Sequence, residues 1–421
     1  MAADTAAAGC YDVVVLGAGV IGSSAALAAS RRGLRVAVVE KHELGHRHGS
    51  SHGCSRIIRR TYPDEHYTAM MTRAYSAWDQ VTADAGLSEP LVQRKGGLDL
   101  MPSGSPLGQI LVDAAVKEGL ATEQLTHDCV LERFGIVVPG SYRCVYQADT
   151  GVLNADACCT AIREACRRRG VVFFASTEVT AVRALAAGAA GTAGVEVDLA
   201  GEADGTVSTG SLIVCPGAAA EPVLRSVFGL SRLPALTPVR VHVHYVALAG
   251  GSGPPPPVVI DYADWGPGKQ HGGEASVPVY LMPANGHPGS YKVACHLGYP
   301  ADGVVPPERE FADRLRPWLE TRTPGLDASG GALASDSCWY TNTRDEDFVV
   351  DDITARVFPA AGAEAGRVIL GAGFSGHGFK MAPVVGEMLA RLALGEPPAV
   401  GDEPLLDKFR FGRLLAGGED S

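Results

Sequence analysis

Residues Tyr11 to Glu40 read YDVVVLGAGVIGSSAALAASRRGLRVAVVE. Val13 to Leu16 form an unbroken apolar run, the pattern of a strand buried on both faces. Gly17, Gly19 and Gly22 follow as G-x-G-x-x-G. An Ala-rich stretch then predicts a helix to about Arg32, with Gly33 as its stop. Val36 to Val39 predicts a second buried strand, closed by Glu40. Strand, glycine turn, helix, strand and terminal acid make a dinucleotide-binding unit. Gly17 allows the tight turn, Gly19 lets the backbone approach a pyrophosphate, and Gly22 lets helix and strand pack closely. The helix N-terminus offers free N–H groups and partial positive charge to phosphate. Glu40 can accept both ribose hydroxyls of an adenosine. The unit does not distinguish NAD from FAD.

The chain has 421 residues, enough for two domains, and a net charge of −11. That charge argues against nucleic acid or an anionic membrane as partner. No apolar run approaches the length of a membrane span. The first ten residues, MAADTAAAGC, are too short and too weakly apolar for a signal peptide and are expected to be a disordered tail. The ten cysteines form no C-x-x-C pair and several sit in apolar runs. This is the usage of a reducing compartment, with thiols as small buried hydrophobes. The C-terminal GGEDS is not a peroxisomal S-K-L type signal, so a cytoplasmic location is expected, with a peroxisomal one as alternative.

His42, His46, His48 and His52 are dense after Glu40, but their spacing fits no familiar metal site, and no metal is expected. Arg56, Arg59 and Arg60 follow; they can face solvent, or clamp a carboxylate in bidentate fashion. Tyr67, Met70, Met71, Ala74, Trp78 and Val81 mark an amphipathic helix from Glu65, with Met and Trp as core. Short strands and turns from Leu91 to Tyr146, with a helix near residue 107, suggest a second lobe. A helix within Asp149–Gly170 has Asn154 or Asp156 as N-cap. Residues 184–210 predict a β-hairpin or meander with a loose tip, and Leu212 to Cys215 another buried strand. His242, His244 and Tyr245 alternate with valines, predicting a half-exposed strand. Tyr280 to Met282 and Tyr291 to Leu297 predict two strands of an antiparallel sheet. A strand at Val368–Leu370, the loop GAGFSGHGFK and a final helix to about Leu394 end the pattern. Gly371, Gly373 and Gly376 repeat the G-x-G-x-x-G spacing, but no second strand with a terminal acid follows. This loop therefore predicts N–H groups offered to a ligand edge rather than a second nucleotide unit.

Five motifs stand in order: GAGVIG with Glu40, GSSHGCSRIIR at 49–59, YKVACH at 291–296, CWYTNTRDEDF at 338–348 and GFSGHGFK at 373–380. With them the sequence resembles, over nearly its whole length, the monomeric sarcosine oxidase and pipecolate oxidase family of flavin-dependent amine oxidases, in the wider D-amino-acid-oxidase-like superfamily. The resemblance implies one FAD per chain, attached covalently to Cys338. It places His52 and Arg56 close to the flavin, together with Gly373, Gly376, His377 and Gly378 of the last motif. Arg59 matches the arginine that pairs with the substrate carboxylate, and Lys380 its partner. Tyr340 and His296 match side chains near the substrate amine, and Tyr280 a further pocket tyrosine. Lys292 matches the lysine near flavin N5, where a buried cation favours electron transfer to oxygen. Arg344 and Asp347 depart from a common proline and histidine, which puts pocket shape in doubt rather than chemistry.

The fold expected is α/β (α+β overall), a Rossmann-type FAD-binding domain interleaved with a sheet-rich antiparallel substrate domain. The FAD-binding domain is assigned to 1–90, 150–230 and 335–400, the substrate domain to 91–149 and 231–334, and a C-terminal tail to 401–421. The implied activity is oxidation of a secondary amino acid: sarcosine, O2 and water would give glycine, formaldehyde and hydrogen peroxide. L-Pipecolate, L-proline or another N-substituted amino acid is the alternative within the family. An NAD-dependent dehydrogenase and a non-catalytic flavoprotein are the rival classes. The implied partners are the amino acid and O2, for a monomer that binds neither nucleic acid nor membrane.

Overall fold

The computed structural model describes residues 9–185, 194–249, 254–263, 277–300, 305–361 and 365–415. The strand Cys10–Leu16 lies between Val36–Val39 and Gly205–Val214, parallel to both, with Val13 opposite Val36 and Val14 opposite Leu212. Arg367–Ala372 continues the parallel run beyond Gly205–Val214. Val349–Asp352 closes that side antiparallel, and Val172–Phe174 the other side parallel. One face of this sheet is covered by the helices Val20–Arg31, Glu65–Asp84, Ala155–Arg168 and Ala382–Leu394. The antiparallel strands Thr177–Leu185 and Gly194–Gly201 continue this sheet from Gly205–Val214, and their Val179, Val195 and Leu199 share a core with Val14, Ala37 and Val39 on its other face. The two strands match the expected meander, whose tip at 186–193 lies outside the described residues.

The glycine turn has the geometry its sequence demands. Gly17 sits at φ 98°, and a Cβ there would stand 2.3 Å from the Cys215 carbonyl oxygen. A Cβ on Gly22 would stand 2.0 Å from the Gly17 carbonyl oxygen, so helix and turn approach as only glycine permits. Asp64 caps the helix Glu65–Asp84, accepting from the His66 N–H at 2.8 Å. Of the two candidates for the later helix, Asn154 is the cap, accepting from Ala157 at 3.0 Å.

Among the described residues the second sheet has nine strands. Its middle runs Thr237–Leu248, Ser290–Cys295, Val279–Pro283, Val258–Asp261, Gly97–Pro102 and Tyr142–Gln147. All of these neighbours are antiparallel except Val258–Asp261 with Gly97–Pro102. The helical stretch Pro307–Arg322 covers one face, with Phe311, Leu315, Trp318 and Leu319 buried in a core with Leu98, Leu100, Val259, Leu281 and Val293. The mixed architecture is therefore a parallel nucleotide-type sheet beside an antiparallel one.

Four expectations change. The strand Ala334–Asn342, which carries Cys338 and Tyr340, falls within the stretch assigned to the nucleotide domain. It pairs along its whole length with Thr237–Leu248, Cys338 opposite Val241 and Tyr340 opposite Val239, and so belongs to the antiparallel sheet. The predicted half-exposed strand at 241–246 is buried on both faces, because the helices cover His242 and His244 while the other face looks into the site. The segment read as a C-terminal tail folds as far as Leu415: Glu403–Lys408 is helical, and Leu405, Phe409 and Phe411 are buried against the two cores of the first sheet. Burying such a side chain contributes about 1.5–3 kcal/mol toward the cost of ordering the segment. Residues 416–421 and 1–8 of the expected tails lie outside the described residues, and Cys10 already opens the first strand.

Candidate active site

A cavity of about 900 Å³ opens at the C-terminal ends of the parallel strands. Gly17, Gly19 and Gly22 form part of its wall, as do Glu40, His52, Arg56, Tyr340, Gly373, Gly376 and Gly378. Glu40 is fixed there by the backbone: Oε2 accepts from Ala18 N–H at 2.8 Å and Oε1 from His42 N–H at 3.0 Å. The His42, His46 and His48 rings cluster beside it, His46 stacked on His48 and His42 tilted against both, with His46 Nε2 3.3 Å from Glu40 Oε1.

The loop 50–55 is shaped by Arg56. Its guanidinium donates to the carbonyls of Ser50, His52 and Ser55 at 3.0, 2.7 and 2.9 Å. Three carbonyls on one planar fork fix the loop as a single body. Asp156 holds the same loop from the other side, through Gly53 N–H at 2.8 Å. His52 is buried and presents both ring nitrogens without a partner among the described residues. Burial is the main cause that lowers its pKa, so the ring is neutral near pH 7.

One face of the antiparallel sheet carries the remaining candidates. The pairings Tyr280 with Ala294, Met282 with Lys292, Lys292 with Tyr245, and Val241 with Cys338 put Tyr280, Lys292, Cys338 and Tyr340 on the face away from the helices. Lys292 is buried and donates to the Ser55 carbonyl at 3.1 Å. Burial, then the nearby Arg56, brings its pKa down to about 8. The Tyr280 and Tyr340 hydroxyls hydrogen-bond each other, and burial pushes Tyr340 up to about 12. Cys338 is itself buried; its neighbours Trp339, Tyr340 and Thr341 form the cavity wall.

Beyond Tyr340 the cationic candidates converge. The His296 ring lies 5.4 Å from that of Tyr340. Burial, then Lys380 and Arg59, takes His296 down to about 4, so it is neutral at neutral pH. Lys380 Nζ donates to the Tyr62 hydroxyl at 3.0 Å, and the Arg59 guanidinium lies 4.9 Å over the same ring. Lys380 is placed by its backbone: its carbonyl accepts from Trp78 Nε1 at 2.8 Å. Trp78 is thus core, as its helical spacing predicts, and also a strut for Lys380. Arg59 bonds to the Tyr262 hydroxyl and faces Asp99 at 3.5 Å.

His377 departs from the cofactor-binding role given to it. Its ring packs 4.7 Å from Phe348 and 5.3 Å from Tyr67, and Nε2 meets the Glu346 carbonyl at 3.1 Å. The side chain packs in an aromatic cluster behind Tyr62, and His377 is not part of the cavity wall, which its neighbours Gly376 and Gly378 line. Asp347, where the resemblance leads one to expect histidine, accepts from Tyr67 at 2.9 Å and pairs with Lys408 at 3.3 Å. Tyr62, Asp99 and Tyr262 are the site residues that the sequence reading lacks. Asp99 left a trace, as the single charge inside the apolar strand GLDLMP; the tyrosines left none.

The cavity suits a dinucleotide with an aromatic ring system at one end. It combines a glycine turn that excludes side chains, a fixed ribose acceptor, and orphaned polar atoms on the wall in His52 and the Thr341 hydroxyl. Comparison with known proteins agrees. Residues 12–392 match the family model described as DAO, FAD dependent oxidoreductase. A probable sarcosine oxidase of Arabidopsis thaliana is 30% identical over 419 residues, covering 96% of this chain and 93% of that one. The peroxisomal sarcosine oxidase of Mus musculus is 30% identical over 419 residues, covering 96% of each. An N-methyl-L-tryptophan oxidase of Escherichia coli O127:H6 is 28% identical over 391 residues, 91% of this chain and 95% of that one. Among solved structures, NikD, an unusual amino acid oxidase essential for nikkomycin biosynthesis, is similar with a TM-score of 0.77 at 20% identity, covering 98% and 99%. Glycine oxidase from Geobacillus kaustophilus gives 0.72 at 18% identity, covering 97% and 100%. At these identities the two structures speak for the fold. Among the described residues no helix is long and apolar enough to cross a membrane.

Proposed function

We propose, since the chain belongs to the DAO family of FAD dependent oxidoreductases, that it is a flavin oxidase of N-substituted amino acids, with sarcosine as the leading substrate. The reaction would consume sarcosine, O2 and water and yield glycine, formaldehyde and hydrogen peroxide. Bound FAD supplies the two-electron chemistry; the protein supplies placement and electrostatics. Gly17, Gly19, Gly22 and Glu40 would hold its ADP half, with Cys338 as the covalent attachment point on the sheet. Arg59 and Lys380 would fix the substrate carboxylate. His296, neutral by burial, and Tyr340 would orient the amine, which reacts only after losing its proton because an ammonium has no lone pair. Lys292 would offer its charge to oxygen as electrons arrive.

The observation that carries this reading is the convergence of Arg59 and Lys380 on Tyr62, beside a His296–Tyr340 pair whose tyrosine also lines the cavity. Two cations and a neutral histidine at the end of a dinucleotide cavity suit an amino acid, not a neutral amine. The relatives named for sarcosine and for N-methyl-L-tryptophan support the substrate class. A peroxidase-coupled assay under air with sarcosine, N-methyl-L-tryptophan, L-pipecolate and L-proline should give peroxide, most rapidly with sarcosine. No peroxide from any of them, with NAD reduced instead, would overturn the reading. For the compartment and assembly we favour a cytoplasmic monomer. The ten unpaired cysteines fit a reducing compartment; fractionation and light scattering test both points.

A further inference from the structure

Arg59 meets its own carboxylate before any substrate arrives. Its Nη1 donates to the Tyr262 hydroxyl and lies 3.5 Å from Asp99 Oδ1. The Tyr262 hydroxyl in turn donates to the same Oδ1 at 3.3 Å. Asp99 is 5% exposed, in the middle of the strand Gly97–Pro102, and its Oδ2 accepts from Gln147 Nε2 at 3.5 Å. The Gln147 amide also donates to the Thr61 hydroxyl. Asp99 is paired across the sheet with Ile260, which pairs with Tyr280, so its side chain leaves the sheet on the face that carries Tyr280, Lys292 and Tyr340.

A buried carboxylate is an expensive way to hold an arginine. Neutral acceptors would position the fork without neutralising it. What a carboxylate adds is charge. Arg59 and Lys380 contribute two positive charges, Asp99 removes one, and His296 is neutral. With Lys380 protonated and Asp99 ionised, this group of side chains carries one net positive charge, the complement of one carboxylate.

We propose that Asp99 is a specificity-determining residue that fixes the carboxylate site at one net positive charge, so that the site accepts amino acids with a single carboxylate and turns away those bearing a second anionic group beside it. This rests on the function proposed above, because it takes Arg59 and Lys380 as the carboxylate anchors. With Asp99 in place a dianion leaves one negative charge uncompensated in a buried site. Without it, two cations face two anions.

The test uses the holoenzyme and two non-oxidisable probes, acetate and malonate, each titrated against the visible absorbance of the bound flavin. In the wild type malonate should bind no more tightly than acetate. In Asp99→Asn the ratio of the two dissociation constants should move at least tenfold toward malonate. A purely structural role for Asp99 would weaken both probes together and leave the ratio alone. An unchanged ratio in the variant overturns the proposal. So does a wild type that already prefers malonate tenfold, a measurement that stands even if the variant fails to fold. Failure of the function reading is separate: no N-substituted amino acid would give peroxide, whatever the ratio of the probes.

Discussion

Lys380 and Tyr62 are joined by a hydrogen bond of 3.0 Å from the ammonium to the phenol oxygen, while Arg59 stands over the face of the same ring at 4.9 Å. One tyrosine thus brackets two cations that would otherwise repel each other in a buried site. The ring face attracts the guanidinium, and the hydroxyl oxygen accepts a hydrogen bond from the ammonium. Burial, the first cause of the lowered Lys380 pKa, is opposed by this same tyrosine.

Tyr62→Phe separates the two functions of the ring. The variant keeps the face under Arg59 and loses the oxygen under Lys380. A neutral hydrogen bond contributes about 0.5–1.5 kcal/mol, and one to a charged group about 1.5–3 kcal/mol. KM for the amino acid should rise about 3- to 100-fold with kcat changed far less. A KM within twofold of wild type would remove Tyr62 from the anchor.

Arg59→Ala should cost stability as well as binding. It leaves Asp99 buried opposite no cation, a situation that costs about 3–5 kcal/mol when the carboxyl stays charged. Burial already raises the Asp99 pKa and Arg59 opposes that rise, so removing Arg59 drives it higher. The folded variant then binds a proton that the unfolded chain does not, and its stability deficit should shrink as pH falls toward the ordinary carboxylate range. Adding Asp99→Asn should restore most of the loss in urea melts without restoring substrate binding. A double variant as unstable as the single one would mean that Asp99 is not the group left unpaired.

Much of this was written locally in the chain. The first strand, the turn and Glu40 are short-range patterns, and the helices at Glu65 and Ala382 follow from periodicity and caps. The reactive residues are legible only through the resemblance, because a cysteine in a strand or a histidine after one has no period to betray it. The sheet that the strand carrying Cys338 joins is illegible in the sequence for a related reason. It follows the antiparallel strands in sequence and precedes the last parallel one, so order alone cannot say which it joins. Tyr262 and Asp99 are 163 positions apart and meet only because Val258–Asp261 lies parallel to Gly97–Pro102. Such long-range pairing is invisible to windows of ten or twenty residues.

Cys338→Ser tests the attachment. Denatured in acid and SDS, the wild type should keep its yellow colour on the protein band, and the variant should release it to the supernatant. Colour retained by the variant would move the attachment to another residue. The oxygen of serine fits the space of the buried sulfur, so folding should survive, and a near-unchanged Tm is the control.

Lys292 predicts the pH dependence of oxygen use. Its pKa is brought down to about 8, so it carries its charge below that pH and loses it above. The second-order rate of reoxidation by O2, followed by stopped flow, should therefore be highest on the acid side and fall as pH rises through about 8. Lys292→Met should remove this limb and slow reoxidation about 10²- to 10³-fold, the usual effect of deleting one oriented charge or donor. A pH limb that persists in Lys292→Met would assign it to another group.

His244 offers a test of the fold that leaves the site alone. It lies on the helix-covered face of the second sheet, with Nδ1 2.8 Å from the Ser335 hydroxyl and its ring 5.5 Å from Phe311. Burial pushes it down to about 4 from an ordinary value of 6.5. The unfolded chain thus takes up a proton at this position between pH 6.5 and 4 that the folded chain refuses. By linkage, stability is lost as pH falls through that window, at about 1.4 kcal/mol per pH unit for one group. Other buried groups, Glu310 among them with a pKa raised by burial to about 7, act in the opposite direction, so the absolute slope is a sum. The difference between wild type and His244→Asn isolates the single term. That difference should narrow in favour of the variant as pH drops from 6.5 toward 4, measured by urea denaturation at each pH. Parallel curves for the two proteins would mean that His244 is protonated in the folded state as readily as in the unfolded one.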